Sequence, residues 1–143
     1  MELVIRIREL IKAVRLAKND LAAHSAVPSG ALAVLSMIEE SGPAQSKDLA
    51  VRSALDPSTI SRAVSALCRA GLLERTADPA DGRASLLMLT EGGRQALQEA
   101  DSWYDERLAV ALADWTPADV DTFAALLHRF SEDLITKPLE AAR

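Results

Sequence analysis

In 143 residues the sequence has a single cysteine, Cys68, and two histidines, with no HxxxH or CxxC spacing around any of them. One cysteine excludes an internal disulfide framework and fits a reducing compartment. His24 and His128 stand far apart on the chain, so no metal site is expected and no cofactor is implied. No apolar run approaches the roughly 18 residues that a membrane-spanning helix needs. The opening MELVIRIREL alternates charged with apolar residues and lacks both the apolar core and the cleavage site of a signal peptide. These absences predict a soluble, cytoplasmic protein with no membrane partner. A nucleophile–base constellation and a glycine-rich phosphate loop are also missing, which speaks against an enzyme.

What remains is enough for one ordinary domain with a real core, at 49% hydrophobic and 26% charged residues. The formal charge of -5 is unevenly distributed. Residues 46–94 carry one more basic than acidic side chain, whereas residues 95–143 carry six more acidic than basic ones. The acidity therefore belongs to the C-terminal third. It argues against a non-specific polyanion binder and leaves the middle of the chain free to meet nucleic acid locally.

Periodicity predicts helices almost throughout. Leu3, Ile7, Leu10, Val14, Ala17 and Leu21 form a helical stripe of heptad type, which Pro28 breaks. Ser29 is placed to cap a helix carrying Leu32, Leu35 and Ile38, which ends at Ser41-Gly42-Pro43. A short helix starts at Ser46. Asp56-Pro57 then announces the next, a capping carboxylate followed by proline at the first helical position, and Gly71 closes it. LLERT (72–76) and SLLML (85–89) read as two strands around ADPADGRA, a turn-rich loop with Asp81-Gly82 as its tight point. Thr90 is expected to cap a long helix carrying Leu97, Tyr104, Leu108 and Leu112. Thr116-Pro117 opens the last one, whose stripe is Val120, Phe123, Leu127, Phe130 and Leu134.

The segment DPSTISRAVSALCRAG (56–71) has two faces. At about 100° per residue, Ile60, Val64 and Leu67 point one way, while Ser58, Arg62, Ser65 and Arg69 point the other, with Ser61 beside them. The outer face carries no acid. Its hydroxyl and guanidinium groups are those that meet base edges and phosphates in a major groove, and Ala63 and Ala66 leave room for a close approach. A short helix, a small turn and this second helix form a helix-turn-helix pattern, and the hairpin that follows supplies a wing. Ser46 and Lys47 open the first of these helices, where a hydroxyl, a backbone N–H and a cation can hold a phosphate. Arg83 sits at the hairpin tip, where an arginine can enter a narrow minor groove.

From Gln45 to Leu97 the chain resembles the MarR family of bacterial transcriptional regulators, most closely in DPSTISRAVSALCRAGLLER, the wing DPADGRA and the exit LTEGGR. The resemblance implies a mostly α fold with a small β-hairpin wing. In it, a winged helix-turn-helix region (29–94) lies between an N-terminal dimerisation helix (1–28) and C-terminal dimerisation helices (95–143). It also implies that the helix matching Pro57–Ala70, which includes Pro57 and Thr59 at its start, lies in the major groove. Arg83 then reaches the minor groove, and Asp81 pairs with a nearby arginine to steady the wing. Gly82 stands where an additional basic residue is common.

The apolar stripes of the first and last helices exceed what a small winged-helix core can cover, which points to burial against a second copy. The family pattern implies a homodimer on a pseudo-palindromic double-stranded DNA operator, acting as a repressor. A small aromatic or anionic effector would release it. The alternative is a winged-helix protein-interaction module, which has no need of Ser58, Arg62 and Arg83 all turned outward. Cys68 reads as a packed side chain in preference to a redox sensor. Trp103, Tyr104 and Trp115 read as helix-packing residues before they read as a ligand pocket.

Overall fold

The structure is a computed structural model that describes residues 1–28 and 30–137. The element order is α1 (Glu2–His24), α2 (Leu32–Ser41), α3 (Ser46–Ser53), α4 (Pro57–Arg69), β1 (Leu73–Ala77), β2 (Ser85–Leu89), α5 (Glu91–Ala111) and α6 (Pro117–Thr136). It is a mostly helical fold with a small antiparallel hairpin. The expected cap Ser29 lies outside the described residues. The chain divides into two compact units, Met1–Trp103 and Tyr104 onward, and α5 runs from the first into the second.

The start of α4 follows from Asp56-Pro57. The Asp56 carboxylate accepts the Thr59 N–H at 2.9 Å, and Pro57 occupies a first-turn position whose missing N–H costs no helical bond. The end of α4 is a reverse turn closed by two backbone bonds. Leu72 N–H donates to Leu67 O at 3.0 Å and Gly71 N–H to Cys68 O at 3.1 Å, with Gly71 at φ +73°. Only glycine takes that left-handed backbone without strain. Because Leu72 is spent on closing the helix, the first strand begins one residue later than the sequence pattern suggests, at Leu73.

In the hairpin Leu73 faces Leu89 and Arg75 faces Leu87 across an antiparallel register. Ala44 adds a third, one-residue rung: it exchanges both backbone bonds with Leu87, at 3.3 and 2.9 Å. The first unit's core gathers Val34, Leu35, Ile38, Leu49, Ile60, Val64, Leu67, Leu87 and Leu97 from α2, α3, α4, β2 and the start of α5. Each full leucine burial stabilises by about 1.5–3 kcal/mol. Cys68 is half-buried and packs against this cluster.

Thr90 joins hairpin to helix. Its hydroxyl donates to Gly71 O at 2.6 Å and accepts the Gly93 N–H at 3.0 Å, while its own N–H donates to Leu72 O at 3.2 Å. Gly93 is buried so close to the start of β1 that a Cβ there would lie 2.2 Å from Leu72 O. No side chain fits without moving backbone.

In the second unit Thr116 and Asp119 form a reciprocal capping box at the start of α6. The Trp115 and Phe123 rings meet edge to face with centroids 5.6 Å apart. The stripe expected on α6 is present but uncovered: Phe123, Leu127, Phe130 and Leu134 are all exposed, Leu134 to 68%. On α1, Leu3, Leu10 and Val14 of the first stripe are likewise exposed, as are Val4, Ile5 and Ile11 beside them, and only Leu21 of that helix is buried.

Candidate nucleic-acid interface

The α4 face opposite Ile60, Val64 and Leu67 is solvent-facing. Pro57, Ser58, Ser61, Arg62 and Arg69 are exposed, and Thr59 and Ser65 are half-buried. Thr59, Ser61, Arg62, Ser65 and Arg69 line one open concavity of about 630 Å³, bounded on the other side by Gly30 and Ala31 ahead of α2. Ser46, Lys47 and Arg83 do not line it. Ser46 and Lys47 occupy the first turn of α3, where backbone N–H groups lack helical partners; Gln45 is the N-cap residue and makes no side-chain cap bond. Arg83 is exposed in a turn that Ala84 N–H closes onto Asp81 O at 2.9 Å.

Asp56 organises the start of α4. Besides the Thr59 N–H, its carboxylate accepts the hydroxyl of Ser58 and, at 2.6 Å, that of Thr59. Thr59 Oγ1 in turn accepts from Arg62 Nη2 at 3.4 Å. The Ser58 hydroxyl and then the Thr59 bonds hold the Asp56 carboxyl well below the usual carboxylate range, so it is an anion throughout the neutral region.

The wing is steadied differently from the pattern implied by the resemblance. Asp81 accepts the backbone N–H of Arg83 at 3.1 Å, and no arginine side chain pairs with it among the described residues. An aspartate that bonds the chain two residues on fixes a turn locally, with no distant cation needed. Asp78, which sequence reasoning passed over, does more. It accepts the Ala80 N–H at 2.8 Å and Gln45 Nε2 at 2.7 Å, tying the base of the wing to the start of α3. The Ala80 N–H first and Gln45 second pull its carboxyl below the usual range, with a smaller push from the Lys47 charge. Asp78-Pro79 marks a turn in the sequence, but nothing local points to Gln45.

The other residues weighed in the sequence offer little chemistry. His24 Nδ1 lies 2.8 Å from the Asp20 carbonyl, and His128 is exposed. Among the described residues no group of three or more His, Cys, Asp or Glu could hold a metal ion. No helix among them is long and apolar enough to cross a membrane. A second concavity, of about 420 Å³, is lined by Asp114, Trp115, Asp119, Thr122, Phe123 and Leu126 in the second unit. Trp103 and Tyr104 are half-buried on α5.

The sequence profile of the MarR family matches residues 28–85, which span α2 to the start of β2. The uncharacterized HTH-type transcriptional regulator YxaD of Bacillus subtilis strain 168 is 37% identical over 102 residues, 71% of each chain. The chain belongs to the MarR family. Solved structures extend the likeness to nearly the whole fold. A MarR family protein from Bacillus stearothermophilus superposes with a TM-score of 0.85, at 18% identity, over 94% of each chain. The PcaV transcriptional regulator from Streptomyces coelicolor, solved in complex with its natural ligand, gives 0.65 at 31% identity over 88% of this chain and 89% of that one. As a MarR-family protein the chain is a DNA-binding transcriptional regulator, and not an enzyme. In winged-helix terms α3 and α4 are its helix-turn-helix and β1–β2 its wing.

Proposed function

We propose that the protein is a cytoplasmic homodimer that occupies a pseudo-palindromic operator and represses the adjoining genes. The observation that carries the DNA-reading part is the outer face of α4. From Pro57 to Arg69 it presents hydroxyls and two guanidiniums with no acid, around an open concavity. That face enters the major groove, its first turn nearest the base edges. Arg62 and Arg69 supply bidentate donors for guanine or phosphate, and Ser61 and Ser65 adaptable ones. Ser46 and Lys47 hold a phosphate at the start of α3, and Arg83 enters the minor groove from the wing.

The dimer reading rests on the uncovered stripes of α1 and α6. Apolar faces of that length on a water-soluble chain are covered by a partner, and a two-fold partner sets two α4 helices about one DNA turn apart (roughly 10 bp). A small aromatic or anionic effector shifts the population of dimers able to span that distance. PcaV, solved with its natural ligand, supports the presence of an effector.

The test is fluorescence anisotropy on duplexes enriched by the full-length protein from its source genome. Specific binding with two protomers per site and a steep loss of affinity with salt is expected. Well-folded protein that binds no duplex at low salt would leave the protein-interaction reading in its place.

A further inference from the structure

Asp56 does more than cap α4. Its two carboxylate oxygens accept both side-chain hydroxyls of the first turn, those of Ser58 and Thr59. A serine hydroxyl owns one proton and two lone pairs. With the proton committed to Asp56, exposed Ser58 offers lone pairs only. Thr59 is in the same condition, and its lone pair faces Arg62 Nη2.

We propose that Asp56 is a positioning residue for sequence reading: it makes Ser58 an acceptor-only probe that selects an amino group on a major-groove base edge. This deepens the major-groove reading of α4 and rests on it. The amino donors available there are adenine N6 and cytosine N4; guanine O6 and N7 and thymine O4 are acceptors. Ser58 therefore meets adenine or cytosine favourably and faces guanine or thymine oxygen lone pair to lone pair. To serve those bases, or a phosphate, the hydroxyl would have to leave Asp56 and give up a charge-assisted bond about twice as strong as a neutral one. The low carboxyl pKa keeps the device set at neutral pH. Through Thr59 the same carboxylate also helps orient Arg62, whose guanidinium only donates.

The test uses full-length wild type, Ser58→Ala and Asp56→Ser. Serine at position 56 keeps a good N-cap while removing the two-oxygen acceptor, and an unchanged circular dichroism spectrum with cooperative unfolding well above the assay temperature establishes that the fold is kept. Selection from a randomised duplex library first locates the base pair whose preference Ser58→Ala relaxes. Duplexes lacking the amino group at that pair, with purine in place of adenine or 2-pyrimidinone in place of cytosine, are then titrated. Wild type is expected to lose affinity roughly 3- to 10-fold on amino deletion, the worth of one hydrogen bond. Ser58→Ala should lose nothing further, and Asp56→Ser should lose most of the discrimination while other positions keep theirs.

Three outcomes overturn the proposal. These are Ser58→Ala weakening all sequences evenly, which is a phosphate contact; amino deletion costing wild type and Ser58→Ala the same; and Asp56→Ser discriminating like wild type. A wild type that enriches no sequence fails earlier, at the DNA-reading step, and takes this inference with it.

Discussion

Four residues carry constraints that single substitutions expose. Ala54, between α3 and α4, sits at φ +53°, a left-handed backbone that strains any side chain with a Cβ. Ala54→Gly should raise the unfolding free energy by about 0.5–1 kcal/mol in urea titration, the relief of strain outweighing glycine's extra unfolded-state entropy. Gly93 is the opposite case. A Cβ would press on the Leu72 carbonyl, so Gly93→Ala should lower stability by about 2 kcal/mol or more in the same assay. Asp56 and Asp78 both have pKa values lowered by folding. Their stabilisation is fully present above the unfolded-state pKa, about 3.9. It is lost as pH falls below that value and through their lowered folded values. Thermal midpoints should therefore fall below about pH 4, and less steeply in Asp78→Asn than in wild type.

At the scale of elements, the proposed function divides the work of DNA binding between α4 and the wing. Arg62 is carried on a helix and steered by Thr59, while Arg83 rides a turn closed by Asp81. Removing a phosphate-contacting arginine reduces the salt slope of log affinity by about one. Arg83→Ala should show that change nearly evenly across DNA sequences, whereas Arg62→Ala should also relax preference at one base pair; salt titrations on matched and mismatched duplexes distinguish the two. These elements were largely legible in the sequence, because each has a local signal: Asp56-Pro57 for the start of α4, Gly71 for its end, short apolar runs around a turn-rich loop for the strands. The one-residue shift of β1 came from Leu72 serving the helix end, a backbone matter that hydrophobic pattern does not register. Gln45–Asp78 and the Ala44–Leu87 rung were illegible because their partners lie far apart along the chain. Asp56 was legible as a cap but not as the acceptor of two hydroxyls, since Ser58 also fits the outward-facing set.

At the scale of the whole molecule, charge and apolar surface are separated along the chain. The helix-turn-helix region is close to neutral and presents its arginines outward, whereas the C-terminal third holds the acidity. That arrangement discourages non-specific adhesion to DNA away from α4 and the wing, because the acidic part is repelled by phosphate. The exposed stripes on α1 and α6 are the apolar surface proposed to meet a second copy. Placing a charge on that surface, as in Phe130→Glu, should shift sedimentation toward the monomer and lower operator affinity at least tenfold, even though Phe130 lies on none of the elements assigned to DNA.

The central claim, that a two-fold dimer reads DNA through the outer face of α4, is tested most directly by footprinting and titrating the full-length protein on its genome-selected duplex. Two protected half-sites about one helical turn apart (roughly 10 bp), filled by two protomers and lost on substitution of Arg62, are the predicted result. Protection of a single half-site by one protomer, or binding indifferent to Arg62, would contradict it.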